Sequence, residues 1–304
     1  MSLYATVSRI DMRLLSIFMT VAESGGFAPA QISLNLSASA ISRSISDLEG
    51  RLGVRLCQRG RSGFRLTDKG RQVYAAVQRL FSSVEQFRTE VGALRGELIG
   101  ELTIATIDNW VNDEQAPLAP ALRALKHKGP GVTIDLMSLA PDQIEHMVLE
   151  QRAPIGIGVF HQKRPGLVYE ALYTDPLELF CGAGHPAFDD ARAGREPAGL
   201  GGFDYASRSY LAEETVSSKT AKLPSTSTGH QIESIAHLIL TGLYIGYLPV
   251  SYARQWIDTG RMASILPERF RAITTIEIVT KRSTALNLVE RTFVDLLREH
   301  SPRV

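Results

Sequence analysis

Residues 37–52 read S-A-S-A-I-S-R-S-I-S-D-L-E-G-R-L. Ile41, Ile45, Leu48 and Leu52 recur at spacings of four, three and four, which puts them on one stripe of an α-helix. Ser39, Ser42, Arg43 and Ser46 fall on the opposite face, again at helical spacing. Ser37 stands where a hydroxyl can accept from an otherwise unpaired amide, so the helix is predicted to start there. A buried stripe backed by short hydroxylated side chains and an arginine suits a helix that enters a DNA major groove. Longer side chains on that face would hold its backbone away from the base edges.

Upstream, Leu14, Phe18 and Val21 begin a second amphipathic helix, followed by Ser24-Gly25-Gly26 and a short helix from about Phe27 to Leu34. Asn35 then takes a position that calls for a left-handed residue, which asparagine tolerates. Two short helices, a tight turn and a polar-faced second helix make a helix-turn-helix. V-A-E-S-G-G-F (21–27), A-S-A-I-S-R-S-I (38–45), L-E-G-R-L-G-V-R-L (48–56) and R-L-T-D-K-G (65–70) stand in order and without gaps over about fifty residues. This set resembles the N-terminal domain of LysR-type transcriptional regulators.

Arg59-Gly60-Arg61-Ser62-Gly63-Phe64-Arg65-Leu66 reads as a hairpin loaded with arginine, against the blander alternative of a solvated basic loop. The resemblance implies the wing that flanks the recognition helix, so Arg59, Arg61 and Arg65 are expected on the DNA backbone. Ser37, Ala38, Ser39, Ser42, Arg43 and Ser46 are expected on or near the bases. The family commonly has Gln where this chain has Ala38, which offers only methyl contact and shifts base reading toward Ser39, Ser42 and Arg43.

Thr67 is placed to cap a long helix. Along it Val73, Val77, Leu80, Val84, Phe87, Val91 and Leu94 keep an alternating four-three spacing, a heptad seam narrow enough to favour pairing with another helix. The resemblance agrees, since the family's linker helix mediates dimerisation. Two copies also answer a physical need, because one helix-turn-helix reads too few bases.

Leu94-Arg95-Gly96-Glu97-Leu98-Ile99-Gly100 ends that helix. Strands are expected at 102–107, 132–137, 155–160, 167–172, 177–181, 244–248 and 273–280, with helices such as 143–150 and 232–240 between them, an alternation that implies α/β sheets. G-L-Y-I-G-Y-L-P (242–249), followed by Tyr252-Ala253, is similar to a segment of the same family's effector domain, which looks like a periplasmic solute-binding protein. Pro154 replaces an aspartate usual in the family, which bears on the start of the third strand. The expected class is α/β with an N-terminal all-α winged helix-turn-helix domain (1–67), a linker and dimerisation helix (68–96) and a C-terminal two-lobed periplasmic-binding-protein-like α/β domain (97–304). Lobe I would hold about 97–166 and 271–304, and lobe II about 167–270.

Ligands of open α/β sheets sit at strand carboxyl ends, where helix N-termini converge. That names Thr106, Asp108 and Asn109 after one strand, Ser138 after the next, and Thr228 and His230 ahead of the helix at 232 as effector-binding candidates. The family often holds an effector carboxylate with a Ser or Thr at the first place, whereas Asp108 would repel one. Two readings of Asp108 stay open. If it lines the pocket, the effector is neutral, cationic or rich in hydroxyl donors; if it caps the next helix, it says nothing about the ligand. Trp110 reads as core.

At 304 residues the chain is long enough for roughly two or three domains. Net charge is +1, but residues 1–70 hold nine Lys/Arg against five Asp/Glu, a basic head on a slightly acidic body. Cys57 and Cys181 lack metal-ligand spacing and read as packed residues of a reducing compartment. Arg9, Asp11 and Arg13 interrupt any export signal, so the protein is expected in the cytoplasm with no membrane partner. No catalytic or dinucleotide motif is present, since Gly156-Ile157-Gly158 lacks a third glycine, so neither enzyme activity nor cofactor nor metal is expected. The expected partners are a double-stranded DNA operator, a small-molecule effector, further copies of the chain and RNA polymerase. A regulator without an effector and a solute-binding protein are the rival readings; the N-terminal helices argue against the second.

Overall fold

A computed structural model describes residues 9–60, 63–208 and 225–302. The chain divides into two compact units, one ending at Phe87 and the other starting at Arg88.

The first unit comprises α1 (Arg9–Glu23), α2 (Phe27–Leu34), α3 (Ala38–Leu52), the antiparallel hairpin β1 (Cys57–Gly60) and β2 (Gly63–Leu66), and the start of α4 (Asp68–Leu94). Its core gathers Leu14, Phe18, Val21, Ile41, Ile45, Leu48 and Leu56. Burial of each large apolar side chain contributes about 1.5–3 kcal/mol, and this shared core holds the three helices together. Leu52, expected on the buried stripe, is 44% exposed because the helix ends there, with Gly53 in the left-handed conformation. Asn35 is left-handed as the sequence requires, at φ 49° and ψ 43°.

The R-L-T-D-K-G segment has a packing reason. Thr67 Oγ1 donates to the Arg55 carbonyl at 2.6 Å and accepts from the Gly70 amide at 2.8 Å. This pins the start of α4 onto the chain that enters the hairpin.

The second unit is built on one mixed sheet. Its elements are β3 (Gly100–Thr106), α5 (Leu118–Lys128), β4 (Val132–Ser138), α6 (Pro141–Leu149), β5 (Ile155–Gly158), β6 (Leu167–Gly182), α7 (Phe188–Arg192), β7 (Asp204–Arg208), β8 (Ser225–Gly229), α8 (Ile232–Leu240), β9 (Tyr244–Pro249), α9 (Val250–Ile257), β10 (Met262–Ser264), α10 (Pro267–Phe270), β11 (Ala272–Lys281) and α11 (Leu288–His300). Among the described residues the strand order is β4-β3-β5-β11-β6-β9-β7-β8, with β10 also on β6. β3 pairs in parallel with β4 and β5, and β7 in parallel with β8 and β9, so each end of the sheet is a βαβ-type half. The long antiparallel strands β6 and β11 join the halves, with a register shift at Ile276/Glu277.

Two expected strands, 167–172 and 177–181, are one strand of 16 residues. Thr174-Asp175-Pro176 suggests a break, yet Pro176 pairs with Ile273 just before β9 joins the strand at Leu177↔Pro249, an edge position that tolerates a missing N–H. Leu167, Leu172 and Tyr173 pack with Leu102, Ile104, Ile155 and Phe293, whereas Leu177, Leu179 and Cys181 pack with Ile245 and Tyr247. The passage between lobes therefore falls inside β6, near residue 175, and not at residue 167. Gly156 is a packing residue, since a Cβ there would lie 2.4 Å from Ile144 Cγ2 and 2.6 Å from Val279 Cγ1.

Candidate DNA-binding face and ligand cleft

At the start of α3 the Ser37 hydroxyl accepts from the Ala40 amide at 3.2 Å and lies 3.1 Å from the Ser39 hydroxyl. Gln31, from α2, accepts from the Ala38 amide at 3.1 Å, so the preceding helix completes the cap. Ser37, Ala38, Ser39, Arg43 and Ser46 are exposed and Ser42 is half-buried, while Ile41, Ile45 and Leu48 are buried. The two faces expected of this helix are thus separated. Glu49 accepts from the amides of Leu56 at 2.7 Å and Cys57 at 3.1 Å, fixing the hairpin to the end of α3. Phe27 and Phe64 meet edge to face with centroids 5.7 Å apart, tying α2 to β2. Arg65 is exposed on β2, opposite Gln58 in the register, and Arg59 pairs through its backbone with Phe64. Arg61 lies outside the described residues. Neither Gln31 nor Glu49 stands out in the sequence, because a capping residue seven positions away leaves no local pattern.

The seam on α4 divides. Val77 is buried at 4% exposure and Val73 packs on the helix-turn-helix core, so these two expected dimerisation residues are used within their own chain. The physical reason is that the first turns of α4 close the core beside Phe18, whose ring meets Tyr74 edge to face. Further along, Val84 is 43%, Phe87 67% and Leu94 88% exposed, while Leu80 and Val91 are half-buried.

In the second unit, Thr106 and Ser138 are register partners at the ends of β3 and β4, which brings two of the expected ligand segments side by side. Asn109 is left-handed, at φ 61°, and turns the chain after β3. Asp108 Oδ2 accepts from the Ile232 amide at 3.0 Å, which draws in the third segment, since Thr228 and His230 immediately precede that helix and are exposed. Asp108 is thus a cap, but of α8 in the opposite lobe rather than of the next helix. Burial raises its pKa above the usual carboxylate range, against the opposing pull of the Ile232 amide and the Arg208 guanidinium. Thr106, at 3% exposure, has a hydroxyl without a hydrogen-bond partner.

A second group of residues, all but Trp110 unmarked in the sequence, lines the crossing between lobes. Trp110 is buried as expected and stacks on Tyr173 at an interplanar angle of 10°. Its indole N–H donates to the Tyr173 hydroxyl, which in turn donates to Asp113 at 2.5 Å. Asp113, Glu114, Thr174, Asp175, Ser251 and Arg254 line a pocket here, and Arg254 meets Glu114 at 3.4 Å. Burial and the Asp113 charge push Asp175 up to about 7, although Arg208 opposes them. Burial, then Arg208 and Lys163, holds His161 below the usual imidazole range. Cys181 is fully buried and its thiol is pushed up to about 12 by burial, which removes thiolate chemistry. Among the described residues no helix is long and apolar enough to cross a membrane.

Two family descriptions match the chain: a bacterial regulatory helix-turn-helix protein of the lysR family over residues 12–71, and a LysR substrate-binding domain over residues 95–302. The HTH-type transcriptional activator BauR of Pseudomonas aeruginosa is 41% identical over 289 residues, covering 95% of each chain. The SDS degradation transcriptional activation protein of a Pseudomonas species is 29% identical over 260 residues, covering 83% of each. Among solved structures, full-length CbnR complexed with its target DNA has a TM-score of 0.63 at 21% identity, covering 95% of this chain and 99% of that one. CbnR crystallised as a LysR family transcriptional regulator gives 0.64 at 20% identity, covering 96% and 99%.

Proposed function

The chain belongs to the LysR family of bacterial transcriptional regulators, with a DNA-binding and an effector-binding domain, and from that premise we propose a specific mode of action. It binds operator DNA in the cytoplasm as a homodimer or tetramer, through Ser37–Ser46 and the hairpin arginines, and acts on transcription through RNA polymerase. A small molecule in the interlobe cleft changes the geometry of the assembly and so its grip on DNA. Such coupling requires the ligand to bind one arrangement better than the other.

The observation that carries this reading is the segregation of α3 into a buried apolar stripe and an exposed face of serines and one arginine, bordered by a hairpin bearing Arg65. Asp108 supports an effector that is neutral or cationic where it meets the end of β3. Genome-wide footprinting of the bound protein tests the reading, with enrichment of a few sites of partial two-fold symmetry as the expected outcome. A well-folded preparation that prefers no genomic fragment over random duplex at moderate ionic strength, with or without metabolites, overturns it.

A further inference from the structure

The first turn of a helix leaves amide groups without intrahelical partners and carries partial positive charge, so it draws an anion. At α8, a helix of 9 residues, that role is filled from within the chain. Asp108, at the end of β3 in one lobe, accepts from the Ile232 amide at 3.0 Å in the other, across 124 positions of sequence. Arg208, 6% exposed, adds attraction to the same carboxylate. Two residues before Asp108, the buried Thr106 hydroxyl has hydrogen-bonding capacity left over.

We propose that Asp108 is an interlobe latch: its carboxylate takes the anion position at the start of α8, ties the two lobes together there, and confines effectors to molecules that present an ammonium group or hydrogen-bond donors at this point. The statement about effectors rests on the regulator reading above; the latch rests on the contact alone. A carboxylate effector would meet a like charge already seated on the amides it needs. An ammonium group would gain an ion pair with Asp108 and draw it off Ile232, which links occupancy of the cleft to release of the lobes.

Amide hydrogen exchange on the full chain tests the latch. In Asp108→Ala the Ile232 amide is expected to exchange on the order of tenfold faster, as befits loss of a hydrogen bond to a charged acceptor, while Ile239 in the same helix keeps its protection. Acetate in the tens of millimolar should restore protection in Asp108→Ala and leave the unaltered chain as it was; methylammonium chloride should not restore it. Unaltered exchange in a folded Asp108→Ala, or faster exchange that acetate does not slow, overturns the proposal. Where Ile239 also loses protection, Asp108→Gly, which likewise offers no acceptor side chain, takes its place under the same criteria. DNA fragment selection on the same preparations separates the two readings. Retained DNA preference with unaltered exchange overturns the latch alone, and lost DNA preference with acetate-sensitive exchange overturns the regulator reading alone.

Discussion

Gly70 passes the Leu56 carbonyl so closely that a Cβ on Gly70 would lie 2.0 Å from that oxygen. The partner is backbone and belongs to the residue that leads into the hairpin, so neither side can yield without moving the wing. Gly70→Ala is expected to destabilise the first unit by at least about 3 kcal/mol, in the range of severe overpacking. Urea unfolding followed by circular dichroism checks this, and a variant with an unaltered midpoint would mean the contact relaxes freely.

Arg43 is exposed in the middle of the α3 face and Arg65 on the hairpin, and the two are predicted to fail differently. Arg43→Ala should weaken binding to a footprinted operator by about 1–3 kcal/mol and relax its sequence preference. Arg65→Ala should weaken binding to all sequences alike and lower the salt slope by about one. Titrations at several salt concentrations distinguish them, and identical behaviour of the two variants would remove the division of labour.

The split along α4 predicts contrasting outcomes for two valine-and-phenylalanine positions of one seam. Phe87→Glu places a charge on an exposed apolar strip and should yield smaller assemblies by light scattering with the fold intact. Val77→Glu buries that charge in the chain's own core and should cost several kcal/mol of stability, on the order of 3. An unchanged mass for Phe87→Glu would mean that this strip pairs with nothing.

Asp175 carries a pH dependence with a definite sign. Its folded pKa, about 7, is raised above the usual 3.8, so the group favours folding when protonated. That contribution is complete below the unfolded value and is lost as pH rises toward 7. Asp175→Asn removes the charge and should be more stable than the unaltered chain at pH 8, on the order of 2 kcal/mol, with the gap closing as pH falls toward 4. Thermal melts across that range read the effect; a gap that does not depend on pH would assign it to packing.

The DNA-binding unit was legible because its rules are local. Periodicity marked the stripe of α3, a single serine its start and Asn35 the turn before it, each within a few residues of what it controls. The grouping of the candidate ligand segments was legible only in outline. Thr106, Ser138 and His230 follow from strand ends, but the partner of Asp108 lies 124 residues away, and nothing near position 108 points to it. Asp113, Asp175 and Arg208 went unmarked for the same reason, since their chemistry arises from a convergence of both lobes. β7 and β8, reading D-Y-A-S-R and S-T-S-T-G, are too polar to announce themselves as strands. Val73 and Val77 show the converse limit: a heptad tells that a helix has a partner, but not whether the partner is its own domain.

Because β6 and β11 run unbroken from one lobe into the other, with ten register pairs between them, the lobes are joined by a ribbon and not by a loose thread. Any change in the gap has to be absorbed as torsion of that ribbon, concentrated where the register slips at Ile276/Glu277 and where Pro176 leaves one edge unladdered. Such a joint favours small, reproducible rotations over a wide gape.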